Sequence, residues 1–101
     1  MKIQSMESPR TGKAVANQFV LSETVNELSG NAKETFFSYG VVVAIREAFK
    51  SGERDRKVKL DSKYWNYSKT TSKYRSQFLG ETTKETQEKI DNGTYRLTNL
   101  N

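Results

Sequence analysis

Cationic and aromatic side chains alternate along one short segment, and their types and spacing suit it to hold an anionic ligand. The segment contains Lys63, Trp65, Lys69, Lys73 and Arg75. Nucleic-acid surfaces need this combination, because cations neutralise phosphates and aromatic faces stack on bases. We therefore predict that these residues form a partner- or nucleic-acid-binding surface, with the cations as charge contacts and Trp65 as a stacking contact.

A purely structural explanation of the same segment stays open. If the segment is helical, Tyr64, Tyr67, Thr71, Tyr74 and Phe78 fall on one face of the helix, because they recur at spacings of three and four residues. Such a stripe is typical of a face packed on the core, with the lysines on the solvated face. We assign Tyr67, Tyr74 and Phe78 to the core, and leave open whether Trp65 is a core residue or a contact.

A second pair of cations belongs to a turn predicted at Ser8-Pro9-Arg10-Thr11-Gly12: Arg10 lies within it and Lys13 directly follows it. Side chains on a turn carried by a rigid hairpin are well placed for binding, so both residues are candidate contacts. A plain hairpin turn is the alternative. Gly12-Lys13 is not a phosphate-binding P-loop, because Ala14 stands where Ser or Thr is required.

Catalysis has little support in the residue types. The chain has no cysteine and no histidine, which excludes thiolate nucleophiles, Ser-His-Asp triads and zinc fingers. Glu81, Glu85 and Glu88 would share one face of a helix and could bind a hard cation. A solvated face shared with Lys84 and Lys89 is the favoured interpretation. We predict a protein that is not an enzyme and uses no metal or cofactor.

The positive charge is concentrated in one part of the chain. The 101 residues have a formal net charge of +5. The stretch from Arg54 to Leu79 contains eight basic and two acidic residues, so its charge is +6 and that of the remaining residues is −1. This excess predicts an anionic partner, either nucleic acid or an acidic protein surface.

Other features of the composition predict the compartment. The first residues, Met1 to Ser5, contain no apolar run, so we expect no signal peptide. The longest apolar stretch, Val41 to Ile45, is too short to cross a membrane. Since cysteine is also absent, we expect a protein of the bacterial host cytoplasm with no membrane partner.

The hydropathy pattern predicts the elements that position these residues. Strands are expected at 1–7, 13–21, 35–45, 57–60 and 94–97, and helices at about 62–79 and 83–91. Residues 22–34, with room for one helical turn around Val25 and Leu28, and residues 51–56 are expected to be loops. Residues 46–50 stay open between helix and strand. The result is a single α+β domain, 1–101, with two helices on one face of an antiparallel sheet of four to five strands.

The chain resembles a group of small proteins of Firmicutes phages, plasmids and integrative elements. The most specific shared block runs from Tyr64-Trp65-Asn66-Tyr67 through Ser68-Lys69-Thr70-Thr71-Ser72-Lys73-Tyr74-Arg75 to Phe78-Leu79-Gly80-Glu81. Weaker similarity lies in the turn at residues 8–12, in Phe36-Phe37-Ser38-Tyr39 and in residues 95–101. The sequence departs from the family pattern at Gly40, where a polar residue is commoner, and in its longer loop at residues 51–56.

The resemblance implies an accessory protein that inhibits a host defence nuclease, most concretely a type II-A anti-CRISPR protein. Its partners would then be the CRISPR effector nuclease, its guide RNA, or both. Because the nucleic-acid channel of such an effector is positive, a chain of charge +5 is a poor mimic of DNA. Blocking of guide loading is therefore the expected mechanism. The alternatives are a module that binds single-stranded DNA or RNA and, third, a structural protein of the phage particle.

Overall fold

A computed structural model of the chain describes residues 2–26, 31–49 and 52–101. In these residues the elements are, in order, β1 (Lys2–Glu7), β2 (Ala14–Asn26), β3 (Asn31–Ser38), β4 (Val41–Phe49), β5 (Gly52–Asp61), α1 (Lys69–Leu79), α2 (Thr83–Asp91) and β6 (Arg96–Thr98). The predicted α+β class is confirmed. The sheet described by these residues has six strands, one more than the upper prediction.

The six strands lie in the sheet in the order in which they occur in the chain. Strands β1 to β5 pair antiparallel with their neighbours, as predicted. Strand β6 pairs parallel with β5, so the sheet is mixed. The reason is that α1 and α2 bring the chain back far enough for β6 to begin beside Lys59 and run in the direction of β5, which a tight hairpin could not do.

The core lies between one face of the sheet and α1. Phe36, Ala44 and Leu60 are neighbours across β3, β4 and β5 and are fully buried on this face. The ring of Phe78 on α1 stacks on that of Phe36, with centroids 5.7 Å apart. Tyr74 and Phe78 are both buried, which confirms their assignment to the core.

The strand predicted at 35–45 is in fact a hairpin. Strand β3 ends at Ser38, Tyr39 and Gly40 form the turn, and β4 begins at Val41. Both turn residues have positive φ, 52° for Tyr39 and 81° for Gly40, as a two-residue type I′ turn requires. The sequence prediction failed here because alternating apolar residues continue on both sides of the turn.

The loops predicted on polarity are also wrong where the structure describes them. Residues 22–26 and 31–34 extend β2 and β3, whereas residues 27–30, including Leu28, lie outside the described part. The polar residues of these extensions form strands because the backbone pairing of β2 with β3 extends over them, with Glu23 opposite Lys33 in the register. The backbone of residues 52–56 belongs to β5, and residues 46–49 to β4.

The first helix is shorter than predicted. It begins at Lys69 rather than near residue 62, because Ser68 is extended and its Oγ accepts the N–H of Thr71 at 3.1 Å. Residues 62–66 form turns. Gly80 ends α1 with φ of 71°, as predicted. Helix α2 and its capping box of Thr82 and Glu85 are confirmed.

The last strand is shifted by one to two residues from the prediction of 94–97. Residues 94 and 95 precede it, and the hydrogen-bonded part is Arg96–Thr98. Lys59, Leu60 and Asp61 of β5 are its partners. The register is set by this pairing with β5, which local propensity does not contain.

Candidate nucleic-acid interface

An open cleft of about 410 Å³ lies between the β3–β4 turn and the start of α1. Three tyrosines line it, so we call it the tyrosine cleft: Tyr39 from the turn, and Tyr64 and Tyr67 from the segment before α1. The remaining lining residues are Ser38, Val41, Ser68, Thr70 and Thr71. Aromatic rings with a few hydroxyl groups around them are typical of a ligand-binding cleft.

Tyr39 reaches the cleft from a strained backbone. Its φ of 52° is in the left-handed region, where a side chain costs roughly 1–2 kcal/mol. Burial of the ring does not offset this strain, because 59% of the residue is exposed. The Tyr39 N–H donates to the carbonyl of Asn17, itself at φ of 65°, and this bond holds the turn against β2. Strain of this kind at an exposed aromatic residue points to a functional role.

Asp61 positions the other side of the cleft. Its Oδ2 accepts the N–H groups of Lys63 and Tyr64 at 3.0 and 2.9 Å, and its Oδ1 accepts that of Leu100 at 2.8 Å. Burial opposes ionisation, but the hydrogen bonds from Leu100, Tyr64, Asn101 and Lys63 outweigh it and lower the pKa of Asp61. The charged carboxylate therefore fixes the turn that carries Tyr64.

Tyr67 was predicted to be a core residue, and this is wrong. It is 68% exposed, because α1 starts only at Lys69 and the helical spacing that links Tyr67 to Tyr74 does not apply. Its ring meets that of Tyr64 edge to face, with centroids 5.5 Å apart. The two rings form an aromatic wall of the cleft that stays open to solvent.

Three of the predicted cations, Lys63, Lys69 and Lys73, are exposed. Lys63 places its Nζ 5.3 Å from the centre of the Tyr64 ring. Lys69 is the first residue of α1, whose first turn contains no acidic residue. Lys73 follows one turn later, with its Nζ 5.4 Å from the Tyr74 ring centre. The positive end of the α1 dipole therefore adds to the charge of Lys69 beside the cleft.

Arg75 does not fit its predicted role as a surface contact, because it is fully buried. Its guanidinium donates to the carbonyl of Trp65 and, at 2.7 Å, to the Oγ1 of Thr83. Burial lowers the pKa of Arg75, while the charge of Glu81 opposes this effect. The helical face that would expose Arg75 is instead covered by residues 62–68 and the start of α2.

Of the two alternatives that the sequence leaves open for Trp65, the structure shows packing against the core. Trp65 is half-buried, and the Arg75 guanidinium lies 5.1 Å from the centre of its ring. Trp65 does not line the tyrosine cleft. Its visible contribution is to hold the segment before α1 through its contacts with Arg75.

Arg10 and Lys13 are not part of the lining of the tyrosine cleft. Both are exposed at the β1–β2 turn. The turn is closed by the Ser8 carbonyl, which accepts the N–H of Gly12 at 2.8 Å, and by the Ser8 N–H, which donates to Lys13. The structure thus describes a plain, well-formed hairpin turn at this position.

Sequence reasoning missed the tyrosines that line the cleft as a binding set. The only local signal for Tyr39 is the Tyr39-Gly40 pair within an alternating run, which resembles a continuous strand. Tyr64 and Tyr67 follow helical spacing by coincidence. These three side chains come together only because the β3–β4 turn and the segment before α1 meet in the folded protein.

Two of the three carboxylates that could have bound a metal, Glu81 and Glu85, have structural roles, and Glu88 is exposed. Glu81 forms an ion pair with Lys89 at 3.1 Å and accepts a hydrogen bond from Tyr95. Glu85 closes the capping box of α2. Across the described ranges, 2–26, 31–49 and 52–101, no three acidic residues come close enough together to hold a metal ion.

The Tyr95 hydroxyl predicts a loss of stability at high pH. Burial and the hydrogen bond to Glu81 raise the pKa of Tyr95 to about 12, whereas an unfolded tyrosine titrates near pH 10. The folded state therefore keeps the proton longer than the unfolded state, so this contribution is complete below about pH 10 and is lost as the pH rises towards about 12. Urea unfolding at about pH 9, 10 and 11 should show a steeper fall for the wild type than for Tyr95→Phe. Equal slopes for both proteins would contradict this assignment.

None of the helices in the described residues combines the length and the apolar character that a membrane crossing needs.

A search for related proteins gives one family. A model described as "Family of unknown function (DUF8033)" matches residues 1–93. No curated protein and no solved structure matches the chain. The matched range includes the complete tyrosine cleft and both helices, and ends before β6.

Proposed function

Because the chain belongs to the DUF8033 family, whose function is unknown, we propose a function from its own surface: it is a non-enzymatic protein that binds single-stranded nucleic acid in the tyrosine cleft. The observation that carries this proposal is the cleft itself. The exposed rings of Tyr39 and Tyr67 and the half-buried ring of Tyr64 line the cleft together with Ser68, the N-cap of α1. Lys63 lies next to the Tyr64 ring, and Lys69 directly follows Ser68 in the chain.

The chemistry of the cleft favours a single strand over a duplex. Base stacking on an aromatic side chain contributes about 1–3 kcal/mol per base, and it requires bases that are not already paired and stacked. A helix N-terminus and lysines favour phosphate groups. The cleft offers both within one open surface, so a nucleotide could place its base on the tyrosines and its phosphate near Lys69.

The strained turn provides a sharp test, because one substitution should move stability and affinity in opposite directions. Tyr39→Asn removes the ring and introduces a residue that tolerates positive φ. We expect a higher melting temperature together with about tenfold or greater loss of affinity for single-stranded RNA or DNA. Fluorescence anisotropy with a labelled oligonucleotide of about 12 bases measures the affinity.

A charge-matched pair separates the cleft from general attraction to a basic protein. Lys69→Glu should weaken binding strongly, whereas Lys84→Glu changes the net charge equally at an exposed position of α2 and should not. With three lysines near the strand, the logarithm of the affinity should fall with the logarithm of the salt concentration with a slope of about −2. Equal effects of the two variants, or an unchanged affinity of Tyr39→Asn, would refute the cleft as the binding site.

The same surface supports the inhibitor function that the resemblance implies. In this second proposal the single strand is the guide RNA of a type II-A effector, and its capture prevents guide loading. The net charge of +5 favours an RNA ligand or an acidic patch of the effector over the positive DNA channel. A gel assay that mixes the protein with free effector, with guide RNA and with the preformed complex tests it. If the wild type prevents guide loading and the Tyr39→Asn variant does not, inhibition is supported. If the protein binds unrelated RNAs equally well and guide loading is unchanged, only the general binding function remains.

A further inference from the structure

The face of the sheet opposite α1 is apolar and open. Neighbours across the strands include Ile3 with Leu21, and Phe19 with Phe37, all pointing away from the face that carries Phe36. Ile3 is 68% exposed and Phe19 is 37% exposed. Leu21, Phe37 and Ile45 are only half-buried although they lie on interior strands. An exposed patch of this kind on a sheet indicates an interaction surface.

A row of charges crosses the same face beside the apolar patch. The register places Glu23 opposite Lys33, Lys33 opposite Glu47, and Glu47 opposite Lys57. The signs therefore alternate across four adjacent strands. Among the residues whose side chains the structure describes, the ion pairs are Arg46 with Glu34 and Lys89 with Glu81, so none of these four charges pairs with an opposite charge within that set.

The alternation makes the row complementary to itself when its order is reversed. Reversal occurs if a second copy faces the first across a two-fold axis that runs along the strands between β3 and β4. Glu23 would then face Lys57 of the second copy, and Lys33 would face Glu47 of the second copy. A copy placed with the same strand order would set like charges against each other. The pattern therefore selects one isologous arrangement.

We propose that two copies of this chain form a two-fold symmetric dimer by packing their open sheet faces against each other. Phe37 and Ile45 lie next to the axis and face Val42 and Thr35 of the second copy, whereas Leu21 packs on the aliphatic stem of Lys59 of the second copy. The two charge rows pair along one side. Two sheets packed face to face lie about 10 Å apart, a distance that a lysine and a glutamate side chain can span together. The tyrosine cleft lies on the side of the sheet that carries α1, so each dimer presents two clefts to the solvent.

A charge-exchange experiment tests this dimer with the full chain. One variant, Glu23→Lys with Glu47→Lys, makes the row entirely positive. The other, Lys33→Glu with Lys57→Glu, makes it entirely negative. Sedimentation velocity should give the wild type twice the 11.6 kDa mass of one chain. Each variant alone should be monomeric, and their equimolar mixture should regain the dimer mass, because only unlike rows can then face each other.

One control variant and one further disruptive variant complete the experiment. Glu88→Lys with Asp91→Lys adds the same charge on α2 and should leave the dimer intact. Phe19→Lys replaces a residue that is already partly exposed and should weaken dimerisation without unfolding the chain, even if a row variant does not fold. A monomeric wild type at high micromolar concentration, a dimeric single variant, or a mixture that stays monomeric beside a dimeric wild type would each overturn the proposal.

Discussion

Substitution of Arg75 by methionine should lower the free energy of unfolding by about 3 kcal/mol, because hydrogen bonds to a charged group contribute roughly 1.5–3 kcal/mol each. Arg75 is fully buried and joins three parts of the fold. It is on α1, donates to the Trp65 carbonyl in the segment before that helix, and donates to Thr83 at the start of α2. Methionine fills the volume of the stem but leaves both acceptors without a donor.

The same substitution should also weaken ligand binding. Trp65 lies between Tyr64 and Tyr67 in the chain, and its carbonyl is held by Arg75. Once this bond is lost, the segment that carries two of the cleft tyrosines loses its anchor to α1. Urea denaturation and oligonucleotide anisotropy measure the two effects on the same protein, below its unfolding transition.

Lys73→Met is the matched control for the stability measurement, since it removes a cation from an exposed position of the same helix. We expect its stability to change by less than about 0.5 kcal/mol. If Arg75→Met and Lys73→Met were equally stable, Arg75 would not be the link between the three segments. Arg75→Lys should show an intermediate loss, because a single ammonium group cannot reproduce the planar fork of the guanidinium.

Phe78→Ala should be the most damaging truncation on α1, with a loss of about 3–5 kcal/mol. The Phe78 ring stacks on Phe36, and the Arg46 guanidinium lies 4.5 Å from its centre. Arg46 also donates to the Phe78 carbonyl at 2.8 Å and pairs with Glu34 of β3. The Phe78 side chain therefore connects α1 with the centre of the sheet, and its truncation to alanine leaves a cavity.

Comparison of Tyr67→Ala with Phe78→Ala tests whether burial, rather than helical spacing, determines how much an aromatic residue contributes to stability. Both aromatic residues belong to the stripe that the sequence assigns to one helical face, but only Phe78 is buried. We expect Tyr67→Ala to change stability by less than about 0.5 kcal/mol and to reduce affinity for the oligonucleotide. Similar losses of stability in the two variants, measured by urea denaturation, would mean that the whole stripe is core.

The contrast between α2 and α1 shows when local sequence is sufficient to predict where a helix begins and ends. Helix α2 is delimited by a capping box of neighbouring residues, Thr82 and Glu85, so its bounds were predicted from short-range signals alone. The start of α1 depends on Asp61, Arg75 and Leu100, which hold residues 62–66 in turns. Helical spacing of the aromatic residues continues through those turns, so the pattern overestimated the helix.

The hairpin at Tyr39 and Gly40 shows the same limit for strands. Alternation continues from β3 into β4, and only the pairing of Ser38 with Val41 reveals that the chain reverses. The polar ends of β2 and β3 form strands because they pair with each other, not because of their own propensity.

The sequence by itself determined the α+β class, the second helix with its caps, the core positions of Tyr74 and Phe78, and the concentration of positive charge between residues 54 and 79. The tertiary structure decided which of those cations face solvent and which side chains form the cleft. Lys63, Lys69 and Lys73 are exposed while Arg75 is buried, and Tyr39 meets Tyr64 and Tyr67 across 25 residues of chain or more. The physical reason is that burial and long-range contact depend on how elements pack, whereas charge, caps and periodicity are properties of neighbouring residues.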